Sequence, residues 1–167
     1  YDKRDSKVES VNKKGRYRMQ KKIIWAFFIS LLSTNATLHA QDLTGIWQQI
    51  DDKTGSPKAL IEIQKDNNGS FSGKIKKITP RAGYTPKEKC INCPAPYTNQ
   101  PLLGLEVFNG LKYDDENKYN DGKILDPLSG KIYNLKAKQT PNGKRLLLRG
   151  YIGISAIGRT QTWIRLE

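Results

Sequence analysis

The sequence has a single histidine, His39, and a single methionine, Met19. From residue 40 onward there is no imidazole. This removes Ser-His-Asp and Cys-His catalysis and histidine ligation of a metal. Cysteine is nearly absent as well, with only Cys90 and Cys93. A tetrahedral zinc site built on that pair needs two further nitrogen or sulfur ligands, and the chain has none to give. Covalent haem attachment fails too, because Pro94 stands where Cys-x-x-Cys-His requires its histidine. Long apolar runs are missing. The stretch Ile23–Leu32 holds ten residues, about half of the roughly twenty that a membrane-spanning helix needs.

Other sites are excluded by spacing. Gly130-Lys131 lacks the upstream glycine and the following Ser/Thr of a phosphate-binding loop. Asp114, Asp115, Glu116, Asn117 and Asp121 form the one acidic cluster, and their spacing is not that of a calcium loop, so they read as a solvated loop. Asp51 and Asp52 are adjacent and would face opposite ways on a strand, so they read as turn residues, not as a paired acid and base. The sequence therefore calls for no catalytic constellation, no metal and no cofactor.

What is present begins with charge. The formal net charge is +13. Residues 1–40 hold nine Lys/Arg against three Asp/Glu, and residues 41–167 hold 20 against 13. The excess in the second part is moderate and dispersed, which favours solubility and a mild affinity for anions. Nucleic-acid binding wants a dense basic stripe. The nearest candidate is Lys74, Lys76 and Lys77, where Lys74 and Lys76 share the outer face of one strand. No nucleic-acid partner is expected.

Met19-Gln20-Lys21-Lys22, the apolar Ile23–Leu32 and the polar and small residues up to Ala40 have the layout of a cleavable secretory signal peptide. Cleavage is expected after Ala40, with Leu38 at the minus-three position, giving an exported chain with no stable membrane anchor. The expected compartment is the periplasm. Residues 1–18 precede the start-like Met19 and are polar and basic. They read as an over-extended reading frame or as a disordered extension.

From Gly45 the chain reads as short strands between turn signals. The expected strands are Gly45–Ile50, Lys58–Lys65, Ser70–Ile78, Lys123–Leu125, Lys131–Lys138, Arg145–Ile152 and Arg159–Leu166. Leu105–Leu111 reads as a strand or one helical turn, and Tyr113–Gly122 as a polar loop. Asp66-Asn67-Asn68-Gly69 is a strong hairpin turn. Ile61 and Ile63 share one face, as do Phe71, Gly73 and Ile75. Thr79–Leu103 carries five prolines and both cysteines, so it is neither a central strand nor a long helix. About eight antiparallel strands in sequence close most simply into an up-and-down barrel over residues 41–167, with a two-sheet sandwich as the alternative. A closing barrel would bring Trp47 of the first strand beside the last strand, which holds Trp163 between Arg159 and Arg165. These four are the barrel-closure candidates.

The blocks Gly45-x-Trp47, Asp52-x-Thr54-Gly55, Gly73-Lys74-Ile75, Cys90-x-x-Cys93, Gly122-x-Ile124-Leu125-Asp126-Pro127-x-Ser129-Gly130-Lys131-x-Tyr133 and Arg149-Gly150-Tyr151-x-Gly153, then Gly158 through Trp163, resemble a bacterial exported family catalogued as domain of unknown function 2147. The resemblance covers nearly all of residues 43–166. It departs at Tyr119, where a tryptophan is expected. It implies a lipocalin-like β-barrel in the periplasm and no settled activity. In lipocalins proper, a Gly-x-Trp on the first strand packs against an arginine of the last. Trp47 with Arg159 or Arg165 would repeat that arrangement, as a structural plug held by cation–π attraction.

Three functions follow as expectations. The leading one is a non-enzymatic periplasmic barrel that binds a small apolar or amphipathic ligand, or an envelope partner. Tyr133, Arg149, Tyr151 and Gln161 are the candidate ligand contacts. The second is thiol–disulfide exchange by Cys90 and Cys93. Against it, Pro94 and Pro96 leave no room for the helix N-terminus that activates a redox thiol, so a structural disulfide is the first reading. The third is a protein-binding module, such as an inhibitor of a wall-degrading enzyme. The basic charge disfavours a basic lysozyme as its target.

Overall fold

A computed structural model describes residues 42–167. The extension expected at 1–18 and the signal peptide expected at 19–40 lie outside the described residues. Eight strands follow one another: β1 Gly45–Ile50, β2 Pro57–Lys65, β3 Phe71–Ile78, β4 Glu106–Tyr113, β5 Lys118–Asp126, β6 Lys131–Gln139, β7 Arg145–Tyr151 and β8 Gly158–Arg165. Each pairs antiparallel with the next, and β8 returns to β1, so the sheet closes into a barrel with no free edge. That closure sets the sandwich alternative aside. Trp47 lies opposite Arg165 and Gln49 opposite Trp163 across the seam.

Local chemistry explains the tight turns. At the β2–β3 hairpin, the Gly69 amide donates to the Asp66 carbonyl at 2.9 Å, with Gly69 at φ +82°. The Ser70 and Ser72 hydroxyls donate to the Asp66 carboxylate at 3.0 and 2.8 Å. Beyond the turn, Phe71, Gly73 and Ile75 are buried with Ile61 and Ile63 on the neighbouring strand. Gly73 has no room for a Cβ, because the Phe108 ring fills that space.

One expectation is corrected and one open choice is resolved. Tyr113–Gly122 is not a loop. β4 runs to Tyr113 and β5 begins at Lys118, so the connection is four residues long and the expected Lys123–Leu125 strand grows to Lys118–Asp126. A bulge hid it. The register shifts between Tyr119 and Gly122, and Asp121 takes a left-handed φ of 65°. Two buried residues thus stand three apart, which breaks the period of two that marks a strand. The open choice at Leu105–Leu111 resolves as strand. Gly110, at φ +68°, sits where β4 slips against β3. Val107, Phe108 and Leu111 are therefore all buried at a spacing that imitates a helix.

The long β3–β4 connection lies on the outside of the wall. Phe108 is paired with Ile124, and Ile124 faces the interior, yet the next residues on the opposite face, Val107 and Leu125, are also buried. They belong to one apolar cluster with Cys90, Cys93, Leu102 and Leu105. Amide–carbonyl bonds tie the connection to β3, from Gly104 to Ile75 at 2.7 Å and from Ile75 to Leu105 at 3.0 Å. A second anchor is Gly130 in the β5–β6 turn, where the Asn92 carbonyl occupies the space a Cβ would need.

Candidate functional site

The barrel has one sealed end and one open end. The sealed end receives the start of β1, the end of β8 and the β2–β3, β4–β5 and β6–β7 turns. Trp47 is wholly buried there, and its Nε1 donates to the Leu43 carbonyl at 2.8 Å. The Arg165 guanidinium lies 4.4 Å from the indole centroid. Its Nε donates to Gly143 O at 3.0 Å, Nη1 to Thr44 O at 2.7 Å and Nη2 to Asp42 O at 2.6 Å. One planar fork thus covers the indole and ties three chain segments together. Burial lowers the Arg165 pKa from its ordinary value, opposed by the nearby Asp42 carboxylate. Gly45 completes the seal, since a Cβ there would meet the Glu167 carbonyl.

Tyr119 fills the same end, edge-on to Phe71 at 5.7 Å and to Tyr113 at 5.6 Å. Burial, helped by Tyr113, pushes its phenol up to about 12. Where the resemblance expects a tryptophan, the tyrosine supplies the aromatic packing.

Arg159 takes no part in this seal. It sits six residues before Arg165, about 20 Å along the strand, and both Nε and Nη2 donate to Asp52 Oδ2, at 3.0 and 2.8 Å. It clips the start of β8 to the β1–β2 turn. In that turn, the backbone amides of Lys53 and Thr54 donate to Asp51 and hold its carboxyl down at about 2.

The open end holds a cavity of about 520 Å³. Its apolar wall includes Ile124, Leu135, Leu148 and Gly150, with Ile152 and Ile157 at the rim. At its floor, Gln49 Nε2 donates to Gln161 Oε1 at 2.8 Å, and Trp163 Nε1 reaches the same oxygen at 3.4 Å. The amide pair leaves the Gln49 carbonyl oxygen as an acceptor and the Gln161 amino group as a donor for a guest. Trp163 is buried beneath them, 6.0 Å from the Phe108 ring. Thus β1 and β8 carry both the plug and the cavity floor, at successive inward-facing positions.

Of the expected ligand contacts, Tyr133 and Gln161 line this cavity, while Tyr151 meets only its rim, its ring lying on the outer wall 5.8 Å from Lys136 Nζ. Arg149 does not line it. It alternates with Leu148 and Gly150, so its side chain stands on the outer wall. There its Nε donates to Ser155 O at 2.6 Å, Nη2 to Ala156 O at 2.9 Å and Nη1 to Thr160 Oγ1 at 3.0 Å. Gln49 and Gly150 were not foreseen as site residues. Gln49 stands two positions after Trp47 and therefore on the same face. Gly150 is a glycine inside a strand, a usual mark of space kept clear.

Cys90 and Cys93 form a disulfide with Cα atoms 5.4 Å apart, both buried in the outer cluster. No residue of the β3–β4 connection lines the cavity, so this connection is not a cover for the mouth. Among the described residues, no group of three or more His, Cys, Asp or Glu side chains is placed to hold a metal.

Eight antiparallel strands closed into a barrel, sealed at one end by an indole under a guanidinium and open at the other, define a lipocalin-like protein. Among solved structures, protein HP1028 from the human pathogen Helicobacter pylori, which belongs to the lipocalin family, matches with a TM-score of 0.63 and 26% identity, over 75% of this chain and 84% of that one. Residues 45–165 match the family described as "Uncharacterized protein conserved in bacteria (DUF2147)", and the chain belongs to that family. Comparison with curated proteins finds no match.

Proposed function

We propose that this protein is a non-enzymatic binding protein of the bacterial periplasm that holds a small amphipathic molecule in the open-end cavity. The observation that carries this is the cavity of about 520 Å³ itself, within the range of small-molecule sites. Its aliphatic wall suits a hydrocarbon portion, and the Gln49–Gln161 pair suits an uncharged polar group that both donates and accepts. The leader-like segment before residue 41 and the disulfide support export. Thiol–disulfide exchange fits less well, because both sulfurs are buried and no helix precedes or follows them.

The direct test is native mass spectrometry of protein purified from the periplasm, where a co-purified small molecule is expected. A second test uses the dye 1-anilinonaphthalene-8-sulfonate. Gly150 lies on the wall, and an added Cβ would stand 3.6 Å from Tyr133 Cβ and 3.7 Å from Ile124 Cγ2, an ordinary packing distance. Gly150→Val should therefore fold normally, narrow the cavity and weaken dye binding at least about tenfold. Equal binding by wild type and variant would remove the cavity from the argument.

A further inference from the structure

The loop between β7 and β8 carries Ile152, Ile154 and Ile157, which are 65%, 65% and 73% exposed. No other large apolar side chains among the described residues are as open to solvent. The loop is not loose. The three hydrogen bonds from Arg149 grip its backbone at Ser155 and Ala156 and reach Thr160, and the Ile157 amide donates to Ile154 O at 3.1 Å. A braced loop that presents three isoleucines to water is an exposed apolar patch in search of a surface.

Charge indicates which surface. The sealed-end loops set Asp42, Asp66, Asp114, Asp115, Glu116 and Glu167 against Lys144, but the strand ends beside them add Lys65, Lys112, Lys118, Lys138, Arg145 and Arg165, so this end is close to balanced. The open-end loops set Asp51, Asp52 and Glu88 against Lys53, Arg81, Lys87 and Lys89, and the strand ends beside them add Lys58, Lys77, Lys131 and Arg159 against Glu106 and Asp126, so this end is net basic. An anionic surface therefore favours the end of the barrel that carries the isoleucines.

We propose that the open rim docks reversibly on an anionic lipid bilayer, with the β7–β8 loop isoleucines entering the boundary between headgroups and acyl chains. Ile152 and Ile157 also line the cavity mouth, so docking turns that mouth toward the lipid. In this respect the inference deepens the binding function proposed above. The docking itself rests on the loop and the charge, not on what the cavity holds, and the two are separable by variant. Ile154 is absent from the cavity lining, and Gly150 is absent from the loop.

The experiment is co-sedimentation of the chain beginning at residue 42, which contains all eight strands and their closure. It is incubated with phosphatidylglycerol–phosphatidylcholine vesicles or with pure phosphatidylcholine vesicles. Binding is expected to the anionic vesicles, to fall as salt is raised, and to be at least about tenfold weaker on the neutral ones. Ile154→Ser should weaken it about tenfold while leaving dye binding in the cavity unchanged, and Ile154→Trp should show a blue-shifted emission on vesicles. Gly150→Val should dock like wild type. Failure of wild type to sediment, or equal sedimentation of Ile154→Ser, overturns the proposal. A concentration-dependent dimer that Ile154→Ser abolishes would assign the patch to a second copy of the chain and overturn it equally.

Discussion

The two ends of this barrel are built from the same eight strands and have been put to opposite uses. At the sealed end, Trp47, Phe71, Tyr119 and Leu146 fill the interior, and a guanidinium caps the indole while satisfying three backbone carbonyls. At the open end, Ile124, Tyr133 and Leu148 surround a space that Gly150 and the paired Gln49 and Gln161 leave unfilled. What differs is side-chain volume on a shared wall. The comparison teaches that stability is concentrated at one pole, where packing is dense, and that the other is left free to accept a guest.

The largest effect expected from breaking that asymmetry is at Trp47. Trp47→Ala removes a fully buried indole and should cost about 3–5 kcal/mol, read as a lower midpoint in urea unfolding. Arg165→Met keeps the length of the side chain and loses its charge and donors. It should cost about 2 kcal/mol, whereas Arg159→Met, an exposed pair partner at the open end, should shift the same midpoint only within about 0.5 kcal/mol.

At the open pole, Cys90→Ser with Cys93→Ser should lower stability by up to about 2 kcal/mol, because the loop closed by the bond is short. Dye binding should be unaffected, since the connection does not line the cavity. Gly150→Val should change stability by less than about 1 kcal/mol, as the added Cβ meets its neighbours at ordinary contact distance and valine suits a strand. A loss as large as that of Trp47→Ala would mean the open end is packed after all.

The smallest effect is electrostatic. Asp51 titrates at about 2 instead of 3.8, because two backbone amides favour its charged form. With the folded pKa depressed, the contribution of the β1–β2 turn is fully present above the unfolded value. It is lost as pH falls through about 2. Carboxyl chemical shifts in an NMR titration should give a midpoint near 2 for Asp51, and Lys53→Pro, which deletes one of the two donors, should move it upward.

Much of the barrel was readable from the chain because most strands keep their period of two between strong turns, as at Ile61, Ile63, Phe71, Gly73 and Ile75. It became unreadable where a bulge changes phase. Asp121 and Gly110 each insert a residue, so Tyr119 looked like part of a polar loop and Leu105–Leu111 read equally as a strand or a helical turn. The site was legible only in part. Tyr133 and Gln161 sit on the cavity, yet Arg149 and Tyr151 point the other way, since one step along a strand from Gly150 reverses the face. Which arginine covers Trp47 was left open for a related reason. Both Arg159 and Arg165 share the inward phase of β8, and only the register against β1 separates them.

The plug joins positions from the two extremes of the folded part. Arg165, at the end of β8, donates to the carbonyl of Asp42, just ahead of β1. A polypeptide emerging amino-terminus first must therefore hold seven strands with an unpaired rim until β8 arrives. A break just before Arg165 would remove the guanidinium itself and leave the cylinder without its lock. Barrel closure is thereby coupled to synthesis of the eighth strand.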